Sequence, residues 1–179
     1  MAITRLNNNS VTSVSALPNL ASLPSGIPTG KVLQVKQSTK TDSSTISMAT
    51  GSLYTFWTQT ITPSSTSSKI LVSFVVYMGQ QATSAQPYIV LKRDSSNIFY
   101  ADAIGSRQRS TASAGYFTNE STGPTTQWYL DSPSSTSELS YTLNGGGYNS
   151  RTWYINIPDI NGNYVNSCTS TFTLMEIAG

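Results

Sequence analysis

The chain predicts an all-β fold: one jelly-roll β-sandwich of eight to ten strands over residues 31–179, preceded by an extended anchoring arm over residues 1–30. Three observations lead there. Ser and Thr supply 30 and 24 of the 179 residues. Thr, Tyr and Val suit strands, Ser, Asn, Gly and Pro suit turns, and good helix formers are scarce. Short apolar stretches recur at close intervals, each bounded by turn formers, which is the pattern of a sandwich or barrel. Finally, the last stretch, "TSTFTLMEIA" (169–178), is too apolar to fray as a free terminus. It belongs inside a sheet, and in a jelly roll it can pair with the first strand, so that both termini leave by one end.

The elements follow in order. Residues 1–30 carry single aliphatic side chains, Val11, Val14, Leu17, Leu20, Leu23 and Ile27, among Ser, Asn and Pro. Pro18, Pro24 and Pro28 oppose helix and favour extended chain. "KVLQVKQ" (31–37) reads as a first strand, followed by a polar loop over 38–52, and "LYTFWTQTI" (53–61) as the next strand. "KILVSFVVYMG" (69–79) is the most apolar run; its Val, Ile and Phe content predicts a central strand buried on both faces. "PYIVLKRD" and "NIFYADA" (87–94, 97–103) read as a hairpin, and a short strand is expected at "AGYFT" (114–118). "QWYLDS" and "ELSYTLN" (127–132, 138–144) read as a second hairpin-like pair. "RTWYINI" (151–157), a loop "PDINGNYVNS", and the closing strand complete the chain. No repeat of 20 to 50 residues is visible.

Composition removes whole classes of function. A folded part of roughly 150 residues buries about two-thirds of its chain surface, enough for a core. Charged residues are only 10% and the net charge is +2, too weak and scattered for a nucleic-acid or polybasic membrane surface. Cys168 is the one cysteine, which excludes an intrachain disulfide and reads as a small core residue. The N-terminus has no continuous apolar signal segment, and the run at 70–78 is half the length of a membrane span. The expectation is synthesis in a cytoplasm without classical export or membrane insertion.

Catalytic chemistry finds little support. The chain has no His, which removes the commonest general base, the His-dependent nucleophile systems and most zinc sites. A glycosidase needs two carboxylates facing across a cleft, and the nearest approach to one, Asp131 with Glu138, brackets a turn. In "DINGN", Asp159, Asn161 and Asn163 alternate as half a calcium loop would, but the downstream acid is missing and Asn-Gly is a strong turn signal. No catalytic residue, metal site or cofactor is expected. Trp57, Trp128 and Trp153 each neighbour another aromatic in a strand, so alternation turns one of each pair outward, to pack on another subunit or stack on a sugar. Arg107, Arg109, Tyr116, Tyr148, Asn149 and Arg151 are loop residues of a kind suited to glycans.

The leader "MAITRLNNNSVTSVSALPNLASLPSG" with "IPTGKVLQVKQ" resembles the start of fibre and appendage proteins of tailed bacteriophages. "ITPSSTSSKILVSF", "LKRDSSNI", "YLDSPSSTSELSYTL" and "STFTLMEIA" extend that resemblance over nearly the whole chain. The order of elements, with an "L-x-R-[DN]" hairpin at Leu91–Asp94 and an apolar closing strand, is also similar to the jelly roll of the C1q and tumour-necrosis-factor class. The long segment 104–126 and the lack of a collagen or coiled-coil stalk depart from that class. These resemblances imply a homotrimeric structural protein of a phage virion, a fibre or tail appendage contributing to host attachment.

The leader then reads as a docking arm for another virion protein. Its six aliphatic side chains, at about 1.5–3 kcal/mol each when buried, offer roughly 9–18 kcal/mol before ordering costs. Three arms of a trimer add avidity. Counting strands from the arm places loops 158–168, 133–137 and 94–97 at the far end. Asn161, Asn163 and Tyr164 become the receptor-binding candidates, facing a cell-surface glycan or protein. Rival readings are a capsid decoration or head fibre, a free lectin-like module, and a depolymerase.

Overall fold

A computed structural model of the chain describes residues 30–81, 86–115, 118–147 and 149–179. The arm positions Val11, Val14, Leu17, Leu20, Leu23 and Ile27 lie outside the described residues. The described residues contain strands and no helix: β1 (Val32–Lys40), β2 (Ser44–Met48), β3 (Leu53–Ile61), β4 (Lys69–Gln80), β5 (Tyr88–Arg93), β6 (Ser96–Asn97), β7 (Ala112–Ser113), β8 (Gly123–Asp131), β9 (Leu139–Gly146), β10 (Arg151–Ile155) and β11 (Ser170–Ile177).

They form two antiparallel sheets. In the first, β4 is central. β8 runs along one side of it, while β11 and then β10 share the other side end to end. β1 and β2 follow one another along the outer edges of β11 and β10. The second sheet has the order β3-β9-β5, with β6 and β7 on the free side of β5. The chain crosses between sheets at every step from β2 to β5 and again from β7 to β10, which wraps it into a jelly roll. The expected pairing of first and last strands is present: Lys40 faces Ser170, Gln34 faces Glu176, and the Ala178 amide donates to the Lys31 carbonyl.

Strand alternation fills the space between the sheets. Ile70, Val72, Phe74, Val76 and Met78 point inward from β4, Phe172 and Leu174 from β11, Ile89 and Leu91 from β5, and Leu139, Tyr141 and Leu143 from β9. Each such side chain contributes about 1.5–3 kcal/mol. β4 is central, as expected, but only its inner face is fully buried; Leu71, Val75 and Tyr77 on the outer face are half-buried. Trp57 lies inside, edge-on to Phe172 at 6.0 Å, with its indole N–H donating to Ser38. Trp153 is fully buried, so of the three tryptophans only Trp128 faces out.

Several expectations are corrected by the pairing. Residues 127–132 and 138–144 do not form a hairpin: β8 belongs to one sheet and β9 to the other, and 132–138 crosses between them. Asp131 and Glu138 therefore do not face each other. Asp131 is buried between the sheets, where Arg93 donates to both its oxygens (2.7 and 2.6 Å) and the Tyr141 hydroxyl donates at 2.6 Å. Glu138 is exposed. The loop expected at 38–52 contains β2. The hairpin at 94–95 is real but short: its second strand ends at Asn97, and Phe99, at φ 48°, turns the chain away to stack on Tyr129 at 4.9 Å. The short strand expected at 114–118 falls partly on residues 116–117, outside the described residues; just before it, Ala112–Ser113 forms β7.

Two ends of the sandwich can now be assigned. Val32, Lys69 and Ile177 mark the base, where the chain enters from Gly30. Asp131 pairs Ile70, Leu139 pairs Ile61 and Arg93 pairs Tyr141, so loops 133–137 and 94–97 lie at the base, not at the far end.

The base holds one more buried acid. Glu176 is 1% exposed and accepts from the Ser64 amide (2.7 Å), the Ser64 hydroxyl (2.6 Å) and the Gln34 amide (2.7 Å). Burial alone pushes its carboxyl up, but these hydrogen bonds outweigh it and hold the group at about 2, below its ordinary 4.5. A depressed folded-state value gives stability that is complete above pH 4.5 and is lost as pH falls toward 2. Urea midpoints measured between pH 2 and 7 are expected to fall more steeply across that window for the native chain than for Glu176→Gln. Parallel curves would contradict this role.

Candidate functional site

The receptor candidates Asn161, Asn163 and Tyr164 all fall on the excursion between β10 and β11, and all three are exposed. The sequence locates this loop correctly away from the base, though not at the extreme tip. β10 ends against Met78, and the Asn156 amide donates to the Tyr77 carbonyl. The chain then leaves the sheet and crosses the outer face of β4. A Cβ on Gly79 would stand 2.4 Å from the Ile157 carbonyl oxygen, so the strand passes under the loop only because this position has no side chain. Beyond the crossing, the amides of Asp159 and Ile160 both donate to the Asn119 carbonyl, which ties the excursion to the 118–122 turn.

The root of the excursion is a buried polar joint. The Asn156 side-chain amide donates to the carbonyls of Lys40 and Asp42, each at 2.9 Å. Its oxygen accepts from the Ser170 hydroxyl at 2.5 Å, and that hydroxyl oxygen accepts from the Tyr77 amide at 3.0 Å. The Asn156 carbonyl accepts from the Cys168 amide at 2.8 Å. One side chain thus holds both ends of the loop and the break between β1 and β2. Asn156 sits at φ 67°, a left-handed conformation that Asn tolerates better than most residues.

Two clefts flank the excursion. One, of about 350 Å³, is lined by Ser43, Asp159, Asn161 and Asn166 among others. The second, of about 290 Å³, lies between the excursion and the 118–122 turn, with Tyr77, Glu120, Thr122, Tyr164 and Asn166 in its walls. Asp159 does not point to a calcium loop: its carboxylate accepts from the Tyr154 hydroxyl, which that bond pushes up to about 12. Among the described residues no three His, Cys, Asp or Glu side chains gather as metal ligands. Cys168, expected in the core, stands half-buried in the wall of the second cleft, 3.5 Å from the Thr122 hydroxyl.

Of the other loop residues singled out, the described ones do not join this site. Arg109 donates to the Ala101 carbonyl at 2.5 Å and stacks over Tyr100, on the excursion beside β5. Arg107 lies on that same excursion, while Asn149 leads into β10 and Arg151 is its first residue. Tyr116 and Tyr148 lie outside the described residues.

A second surface was visible in the sequence only through the outward aromatic expected of the pair at Trp128. On the outer face of the first sheet, the pairs Val35–Met175, Met175–Leu71 and Leu71–Leu130 form one apolar row straight across four strands. Trp128 stands beside it, 62% exposed; Val35 is 52% and Leu130 46% exposed. Outward positions on β1, β11, β4 and β8 carry a single charge, Lys69. Such a row appears only once register is known, because each strand contributes one or two residues to it. A scan of protein-family models finds no match to this chain, and a search of curated proteins finds none.

Proposed function

We propose that the chain is a structural component of a phage virion: a homotrimeric fibre or tail appendage, docked by residues 1–30 and contributing to attachment at the host surface. The observation that carries this reading is the uncharged apolar row on the first sheet. Monomeric proteins rarely leave contiguous apolar surface exposed, whereas permanent homo-oligomers bury such surface between subunits. The row runs across the strands, so its occupant must span four of them, as the sheet of a second copy does when packed about 10 Å away. A face whose one charge, Lys69, stands at its base end also lets identical subunits meet with little like-charge repulsion.

The arrangement of ends supports the rest. Gly30 brings the arm to the base, and the excursion with Asn161, Asn163 and Tyr164 lies in the opposite half. Docking and display are thereby separated by the length of β4. The reading is tested by mass spectrometry of purified particles, which should contain the chain in copies divisible by three; its absence from particles would refute it. The subunit contact is tested by Trp128→Glu combined with Leu130→Glu. Light scattering should report monomers, while the unfolding free energy of the separated subunit changes by no more than about 0.5 kcal/mol, since both residues sit on its surface. An unchanged trimer would contradict this interface.

A further inference from the structure

We propose that the cleft between the 157–168 excursion and the 118–122 turn binds a neutral sugar unit of a surface glycan, with Tyr164 as its stacking platform. This rests on the attachment reading and names the class of receptor. Tyr164 is 71% exposed, the most exposed large side chain among the described residues with apolar character. A phenol ring standing free beside a cleft offers its face to the C–H face of a pyranose. The walls supply the matching polar groups. The Glu120 carboxylate accepts from hydroxyls, and the Asn166 amide both donates and accepts, the pairing that vicinal sugar hydroxyls need.

Charge selects among glycans. No Lys or Arg lines either cleft beside the excursion, while Glu120 lines one and Asp159 the other. A sialylated, sulfated or uronic acid sugar would meet a carboxylate with no cation to pair it, whereas a neutral hexose or N-acetylhexosamine meets acceptors it can satisfy. The volume, about 290 Å³, lies at the small end of ligand pockets and suits one ring rather than an extended chain. The frame is already held: Asn119 receives two amides of the excursion, and Asn156 fixes its root. Little ordering is left for binding to complete.

Gly162 gives an independent handle. A Cβ there would approach the Tyr164 ring to 2.8 Å, so Gly162→Ala displaces the ring without touching the core. The test uses the full-length chain with lactose, maltotriose, N,N′,N″-triacetylchitotriose and 3′-sialyllactose as probes, read by saturation-transfer NMR and titration calorimetry. At least one neutral probe is expected to bind, and Tyr164→Ala and Gly162→Ala are each expected to weaken it tenfold or more. Sialyllactose is expected to bind less tightly than lactose. Binding of none of the neutral probes, unchanged binding in Tyr164→Ala, or sialyllactose binding as tightly as lactose would each overturn the proposal. A chain present in particles yet indifferent to all neutral probes would overturn this inference alone; sugar binding by a chain absent from particles would uphold it and overturn the virion reading.

Discussion

Arg93→Ala is expected to lower the stability of the sandwich by about 3–5 kcal/mol, the range for removing one partner of a buried ion pair. Arg93 comes from β5 and Asp131 from β8, so their contact links the two sheets at the base. Asp131 is 4% exposed and accepts three hydrogen bonds, two from Arg93 and one from Tyr141. Burial and the neighbouring carboxylate together push the Tyr141 hydroxyl up, so Tyr141 stays a neutral donor. Without Arg93, a carboxylate remains between apolar sheets with one neutral partner. The size of the loss thus comes mostly from an orphaned charge rather than from the attraction removed. The triple change Arg93→Met, Asp131→Leu, Tyr141→Phe should restore most of the stability, because it removes charge and partners together. Urea denaturation measures both; a loss below 1 kcal/mol for Arg93→Ala would contradict the account.

The second large effect is expected at Asn156. Asn156→Gly keeps the left-handed backbone but deletes the side chain that binds Lys40, Asp42 and Ser170. Leaving such groups unpaired costs about 1–3 kcal/mol each when they stay buried, so a loss of about 2–4 kcal/mol is expected after partial rehydration. Asn156→Ala should cost roughly 1–2 kcal/mol more, because alanine resists φ 67°. Hydrogen exchange at the Cys168 and Ile160 amides should accelerate in both variants, since the excursion loses its root. Equal stability of the Gly and Ala variants would show that backbone conformation is not part of the joint.

How much of this was legible depends on where the information lies. β4 and β11 were readable because their apolar content is dense: Ile70 to Met78, and Phe172 with Leu174. Their roles as central and closing strands followed. β2 was not readable, since "STISM" offers only Ile46 and Met48 among hydroxyl residues; it becomes a strand by pairing with β10. Ile98 and Phe99 looked like the continuation of a strand, but the Ile98 amide makes the last bond to β5, at the Leu91 carbonyl, and the chain turns off at Phe99. The seven residues between Asp131 and Leu139 are short enough to resemble a hairpin and long enough to cross the sandwich. Local spacing does not distinguish these, and that one misreading moved loop 133–137 to the wrong end.

The same contrast holds for the functional surfaces. Asn161, Asn163 and Tyr164 were singled out by counting strands from the arm to one contiguous loop, and they do share one exposed excursion. Glu120, Thr122 and Tyr77, which complete the cleft, come from distant parts of the chain and carry no local signal. Leu71, Leu130, Val35 and Met175 are ordinary strand residues until register sets them in one row.

The central claim is that residues 1–30 fasten the sandwich to a larger particle. Deleting residues 1–26 and comparing particle incorporation with the full chain tests it most directly. The account predicts a truncated protein that folds and trimerises but is missing from purified particles. Incorporation of the truncated trimer at the full copy number would contradict it.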